Sequence, residues 1–306
     1  MTVRAAVWVL ARSCHPEPTV AVTVLATAYA ALAGAGARTP LVGAAVFAQQ
    51  LSIGWSNDAL DTARDRADGR RDKPLVDSTL SPWTVLAAAV VALAASVPLS
   101  RAAVASRGDR AAPAAVAAAD PGTAGPALGP GRRVPPGTGN LVCAAAGWAY
   151  NLGVKATVAS PLPYLVGFGG LAAFLESTRS GARRPSPWVV AAGGLLGASA
   201  HVVNVLPDID DDLAHGIRGL PQRLGAARSR RAGALLLAAA GAVLALAPDP
   251  LGTPAARVGR AAALTLPAVG LAVVSGRATA GSRSAFRLVL VVAVADVGLF
   301  LRRARR

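Results

Sequence analysis

The acids of this chain are confined. Of its 16 Asp and Glu residues, ten fall in two short segments, 57-NDALDTARDRADGRRDKPLVD-77 and 208-DIDDD-212. Most of the remainder is Ala, Val, Leu and Gly, in runs close to the ~20 residues that cross a bilayer. Each acid segment directly follows one of those runs. Such a chain reads as an all-α, multi-pass membrane bundle. Carboxylates at the ends of membrane helices are costly, so they point to function.

Composition agrees. The chain has 306 residues, 53% hydrophobic and 15% charged, with a mean hydropathy of +0.47. That is too apolar for an ordinary soluble domain. The net charge is +15 and aromatic residues make up only 4%. The basic residues lie between apolar runs and at the tail, with no basic helix or aromatic platform, which argues against nucleic acid. Lipid headgroups or an anionic substrate are the better partners. Cys14 and Cys143 form no CxxC pair and no metal set. The first apolar run begins near Thr19 and more runs follow it, which does not suit a cleaved signal peptide.

Hydropathy and run length predict about nine spans, at 19–37, 40–56, 83–100, 138–152, 160–176, 188–206, 231–247, 258–275 and 285–301. Together they make a single membrane domain over 1–306. Segment 101–137 is rich in Pro, Gly and Ala and reads as a flexible loop. Lys and Arg divide almost evenly between the two sides, so they orient the bundle weakly, with the acid-bearing side favoured as cytoplasmic. Four predicted spans separate Asp61 from Asp208, an even number. Both acid segments therefore face one side, and so do Tyr150 and Lys155.

Three constellations meet on that face. Asn57, Asp61 and Asp65 are spaced i, i+4, i+8, which places three oxygen-bearing side chains on one helical face. These are hard ligands suited to Mg²⁺, which takes one or two carboxylates and lets substrate phosphates supply the rest. Asp208 and Asp212 are also four apart, with Asp210 and Asp211 crowded between them, and a bound cation would relieve their repulsion. Two such clusters suit metals clamping one polyanion. The third set is basic: Arg66, Arg70 and Lys73 after the first cluster, and Lys155 just beyond Tyr150. Lys and Arg complement phosphate oxygens that a metal leaves exposed. His201 reads as a packed helix residue.

The ordered set resembles the UbiA superfamily of membrane prenyltransferases. Asn57-Asp58-Ala59-Leu60-Asp61-Thr62-Ala63-Arg64-Asp65 resembles its NDxxDxxxD motif, trailed by Arg66, Arg70, Lys73 and Pro74. The segment 204-NVLPDIDDDLAHGIRGLPQRLG-225 resembles the second Asp-rich motif with its extension, and 150-YNLGVKAT-157 resembles the Tyr and Lys signature. The spacing from Tyr150 to Lys155 is five, where four is usual.

The resemblance implies a nine-helix bundle around a central cavity. A polyprenyl diphosphate donor would be held by Mg²⁺ between the acid clusters, with Asn57, Asp61, Asp65, Asp208 and Asp212 as metal ligands. Asn57, Arg66, Arg70, Lys73, Tyr150 and Lys155 would face the diphosphate. The implied reaction is prenyl transfer to a small acceptor, aromatic or otherwise hydrophilic, in the cell membrane. A transporter or ion-binding membrane protein is the main rival, since acids in a bundle also make ion pathways. A soluble prenyl-diphosphate synthase would need polar outer helix faces, which are absent from this sequence.

Overall fold

The computed structural model describes residues 2–70, 73–104, 135–179 and 185–247. Every regular element among them is helical. Helix α1 spans Val3–Ser13, its first turn capped by Thr2, whose hydroxyl accepts from the Ala5 amide. It precedes the first predicted span and is only 11 residues long, too short to register as a crossing segment. Helix α2 is Pro16–Leu32 and α3 is Thr39–Ala67. Then come α4 (Pro82–Val104), α5 (Thr138–Asn151), α6 (Leu162–Ser177) and α7 (Pro187–Val205). A 3-10 turn at Leu206–Asp208 leads into α8 (Ile209–Ala214), and α9 spans Leu220–Leu246. Several begin with proline in the first turn, where the missing N–H costs nothing.

Seven predicted spans fall on α2, α3, α4, α5, α6, α7 and α9. The two at 258–275 and 285–301 lie outside the described residues, as do 105–134 of the predicted loop. Among the described residues, three helices are long and apolar enough to cross a membrane: Pro82–Val104, Pro187–Ala214 and Leu220–Leu246. Trp83, Val91 and Leu235 point outward from two of them and are exposed, which in lipid is solvation by hydrocarbon. The chain is an integral membrane protein in composition and in helix type.

The helices pack largely in chain order. α3 lies against α2, α4 and α5; α5 packs on α6, α6 on α7, and α7 on α9. One cluster of small and branched residues joins α2, α3, α4, α5 and α6 through Ala30, Val42, Val46, Ala103, Cys143 and Phe174. Small residues let helix backbones approach closely in lipid. Gly139 shows how closely: a Cβ there would lie 2.8 Å from the Phe174 amide nitrogen. A second cluster, of Val9, Leu75, Leu80 and Val85, packs beside the acid-bearing end of α3, with Leu10, Trp55 and Ala59 against it.

The length of α3 positions the site. Its 29 residues rise about 44 Å at ~1.5 Å each, more than the ~30 Å hydrocarbon core. Its last turns therefore keep Asn57, Asp61 and Asp65 helical at one end of the bundle.

Candidate active site

The single helix α3 presents Asn57, Asp61 and Asp65, as their spacing requires. Asp58, Asp61 and Asp65 are all buried. Asp61 is the most heavily paired. Lys155 donates to both of its carboxylate oxygens, at 2.5 and 2.6 Å, and Arg64 reaches it at 3.0 Å. Arg64 also lies 3.8 Å from Asp65. Burial pushes the Lys155 ammonium below its ordinary value, and Asp61 pulls it back up.

The extra residue between Tyr150 and Lys155 is absorbed by the backbone. α5 ends at Asn151, Gly153 takes φ +132°, and a 3-10 turn at Val154–Ala156 follows. A positive φ is available to glycine at no steric cost. The turn returns Lys155 to the Asp61 carboxylate despite the irregular spacing.

The second acid segment sits beside the first. Arg70 lies 3.6 Å from Asp211, and the His215 ring is 3.3 Å from Asp68. These two contacts join the segment after α3 to α8 and place both acid clusters on one face, as the even span count predicts. Asp208 is exposed in its 3-10 turn, and Asp212 is half-buried. Gln222 of α9 donates to Asp212 at 2.7 Å, so the first turns of α9, from Leu220, fold back on the acids as helix. Gly225 breaks that helix at φ +74°, a conformation that favours glycine.

The other basic candidates are placed differently from one another. Lys73 donates to Asp58 at 3.0 Å, and His15 meets the same oxygen at 3.1 Å. Arg66 donates to the carbonyls of Leu75 and Val76 at 3.1 and 3.3 Å, clasping the connection to α4. Arg71 and Asp72 lie outside the described residues. Tyr150 packs edge-on to Tyr164 and to His201, with ring centroids 5.2 and 5.5 Å apart. His201 is buried, bonded to Ser160 at 3.1 Å, consistent with a packed helix residue.

Arg64 belongs to the basic set that interleaves with the first acid segment, three residues after Asp61 on the same helical face, yet the sequence reading favours Arg66 and Arg70 over it. Other participants are missed for want of a signal. Asn151, which accepts from the Asn57 amide at 3.1 Å, and Gln222 carried none, because their partners are remote in sequence. His15 carried none either.

Among the described residues, no group of three or more His, Cys, Asp or Glu side chains gathers closely enough to hold a metal ion unaided. The donors present are carboxylate and amide oxygens spread over two helix ends, with cations between them. Such a set suits Mg²⁺, which needs few protein ligands when phosphate oxygens complete its shell.

A membrane bundle of this topology, with paired acid segments on one face, has the fold of the UbiA homologues. The particular structures are these. A UbiA homologue from Archaeoglobus fulgidus, bound to DMAPP and Mg²⁺, superposes with a TM-score of 0.68 at 15% identity, covering 97% of each chain. A digeranylgeranylglyceryl phosphate synthase matches with a TM-score of 0.63 at 13% identity, over 97% of this chain and 98% of its own. The apo UbiA homologue from Aeropyrum pernix K1 matches with a TM-score of 0.60 at 22% identity, over 94% and 98%. No protein-family model and no curated protein matches the sequence.

Proposed function

We propose that this chain belongs to the UbiA superfamily and transfers a polyprenyl group from its diphosphate to an acceptor, most simply an aromatic one, within the membrane. The observation that carries the reading is the meeting of the two acid segments, bridged by Arg70 to Asp211 and by His215 to Asp68, with Lys155 on Asp61. The fold supports it, as do the diphosphate and Mg²⁺ bound to a protein of like fold.

In this reading Asn57, Asp61, Asp65, Asp208 and Asp212 hold Mg²⁺. The metal, when bound, neutralises the diphosphate and makes it a better leaving group. Lys155 and Arg64 stand beside the same carboxylates and add N–H donors for phosphate oxygens. Arg66, Arg70, Lys73 and Tyr150 form the surrounding shell, and Arg66 and Lys73 also hold the connection between α3 and α4 in place. The allylic C–O bond breaks with its electron pair leaving on the diphosphate. The acceptor nucleophile then bonds to the allylic carbon and its proton is released with the diphosphate, so that the products are the prenylated acceptor, diphosphate and a proton. An apolar cavity between the helices would protect the cation from water. The acid-bearing face is cytoplasmic in this assignment.

The test is Mg²⁺-dependent release of diphosphate from labelled polyprenyl diphosphates by protein in nanodiscs, with a panel of aromatic and other acceptors. Release that needs Mg²⁺ and is lost in Asp61→Asn supports prenyl transfer, and the prenylated product identifies the acceptor. Absence of both release and Mg²⁺-dependent diphosphate binding would overturn the reading in favour of a transporter.

A further inference from the structure

We propose that Asn151, at the end of α5, is a positioning residue that determines which end of the Asn57 side-chain amide faces the acid cluster. The proposal rests on the reading of Asn57 as a metal ligand. A carboxamide has one accepting oxygen and two N–H donors. Its two ends are alike in shape, so the hydrogen-bond partners decide the orientation.

Asn151 is buried, at 6% exposure. Its Nδ2 lies 2.9 Å from the Ile53 carbonyl oxygen and 2.9 Å from Ser56 Oγ. The carbonyl can only accept. Ser56 Oγ spends its own hydrogen on the same Ile53 carbonyl, at 3.0 Å, so toward Asn151 it also accepts. Two acceptors thus require the amide nitrogen of Asn151 on that side and use both of its N–H groups. The oxygen of Asn151 is left to face Asn57, and Asn57 Nδ2 donates to it at 3.1 Å.

The consequence falls on Asn57. With its nitrogen engaged by Asn151, its carbonyl oxygen is outside that contact. Only the oxygen of an Asn amide ligates a hard cation, whereas the N–H end repels one. Turning Asn57 over would set two amide oxygens against each other. Ile53, Ser56 and Asn57 all belong to α3, so one side chain from α5 reads the helix at three points just before the acids begin. A partner of this kind typically changes metal affinity by about 10–100-fold when removed.

The experiment measures Mn²⁺ binding by electron paramagnetic resonance on the full chain in nanodiscs, with an unreactive prenyl thiolodiphosphate, so that no turnover is needed. Two variants separate orientation from packing. Both Asn151→Leu and Asn151→Asp remove the N–H donors to Ile53 and Ser56. Only Asn151→Asp keeps an oxygen facing Asn57 Nδ2. Asn151→Leu should weaken Mn²⁺ binding by about 10–100-fold, and Asn151→Asp should keep it within about threefold of wild type or tighten it. If Asn151→Leu does not fold, Asn151→Ala carries the same expectation. Equal losses in the Leu and Asp variants would make Asn151 a packing residue and overturn the proposal, as would unchanged affinity in the Leu variant. Wild-type protein that binds no Mn²⁺ with the analogue would overturn the metal reading itself and this proposal with it, a result separable from the others because it appears before any substitution.

Discussion

Asp61 meets two cations at once, and that arrangement makes it informative to change. The Lys155 and Asp61 side chains are 11% and 10% exposed, so their interaction is poorly screened by water. Asp61→Asn should reduce diphosphate release by about 10²–10³-fold, the loss typical of removing one preorganised electrostatic group, while a detergent-solubilised sample still elutes as a folded species. Retained turnover would remove Asp61 from the metal set. Lys155→Ala acts differently. It deletes a charge-assisted hydrogen bond and should cost about 2 kcal/mol of stability without metal. Mg²⁺ should restore part of that loss by replacing the missing positive charge. Thermal unfolding of wild type and variant, each with and without Mg²⁺, measures the difference; a variant equally sensitive to Mg²⁺ as wild type would place Lys155 outside the metal's reach.

At the scale of elements, close helix contacts depend on glycines that are not equivalent. A Cβ on Gly54 of α3 would fall 2.6 Å from the carbonyl carbon and 2.8 Å from the Cα of Cys14, in the backbone between α1 and α2. Backbone cannot move aside as a side chain does. Gly167 of α6 has as its nearest neighbour the Ala146 Cβ at 3.4 Å, an ordinary contact. Gly54→Ala should therefore destabilise by about 2 kcal/mol, and Gly167→Ala by far less. Denaturation midpoints of the two variants side by side test this; similar values would mean that the α1–α2 connection yields freely. The same connection supplies His15 to Asp58, and α1 itself supplies the Leu10 carbonyl, which accepts from Trp55 Nε1 at 2.8 Å. The short α1 is thus tied to the acid-bearing end of α3, although it is too small to cross a bilayer.

For the whole molecule, the two acid segments are far apart in the chain and are drawn together only by the packing of the helices between them. A ligand that bridges them binds the folded bundle and not the unfolded chain. By linkage, an unreactive prenyl diphosphate with Mg²⁺ at about 100 times its dissociation constant should stabilise the protein by about 2.7 kcal/mol. Chelation of the metal should abolish the shift, and Asp61→Asn should not show it. A shift that persists in chelator would mean that the diphosphate is held by Lys and Arg alone.

The apolar runs and their lengths were enough to read helices, and seven predicted spans fall on them, because lipid leaves a long apolar segment little else to become. The i, i+4, i+8 spacing of Asn57, Asp61 and Asp65 by itself puts them on one face, since helical periodicity is local. An even number of intervening spans put Asp208 on the same side. The partners were not readable. Lys155 reaches Asp61 through a glycine turn, Lys73 is held by Asp58 and His15, Asn151 meets Asn57, and Gln222 meets Asp212. Each joins residues ten or more positions apart, and such contacts depend on how helices pack and how turns redirect the chain. Local sequence determined which groups are displayed and on which face; tertiary structure alone decided which of them touch, because packing geometry is a property of several helices together and of none singly.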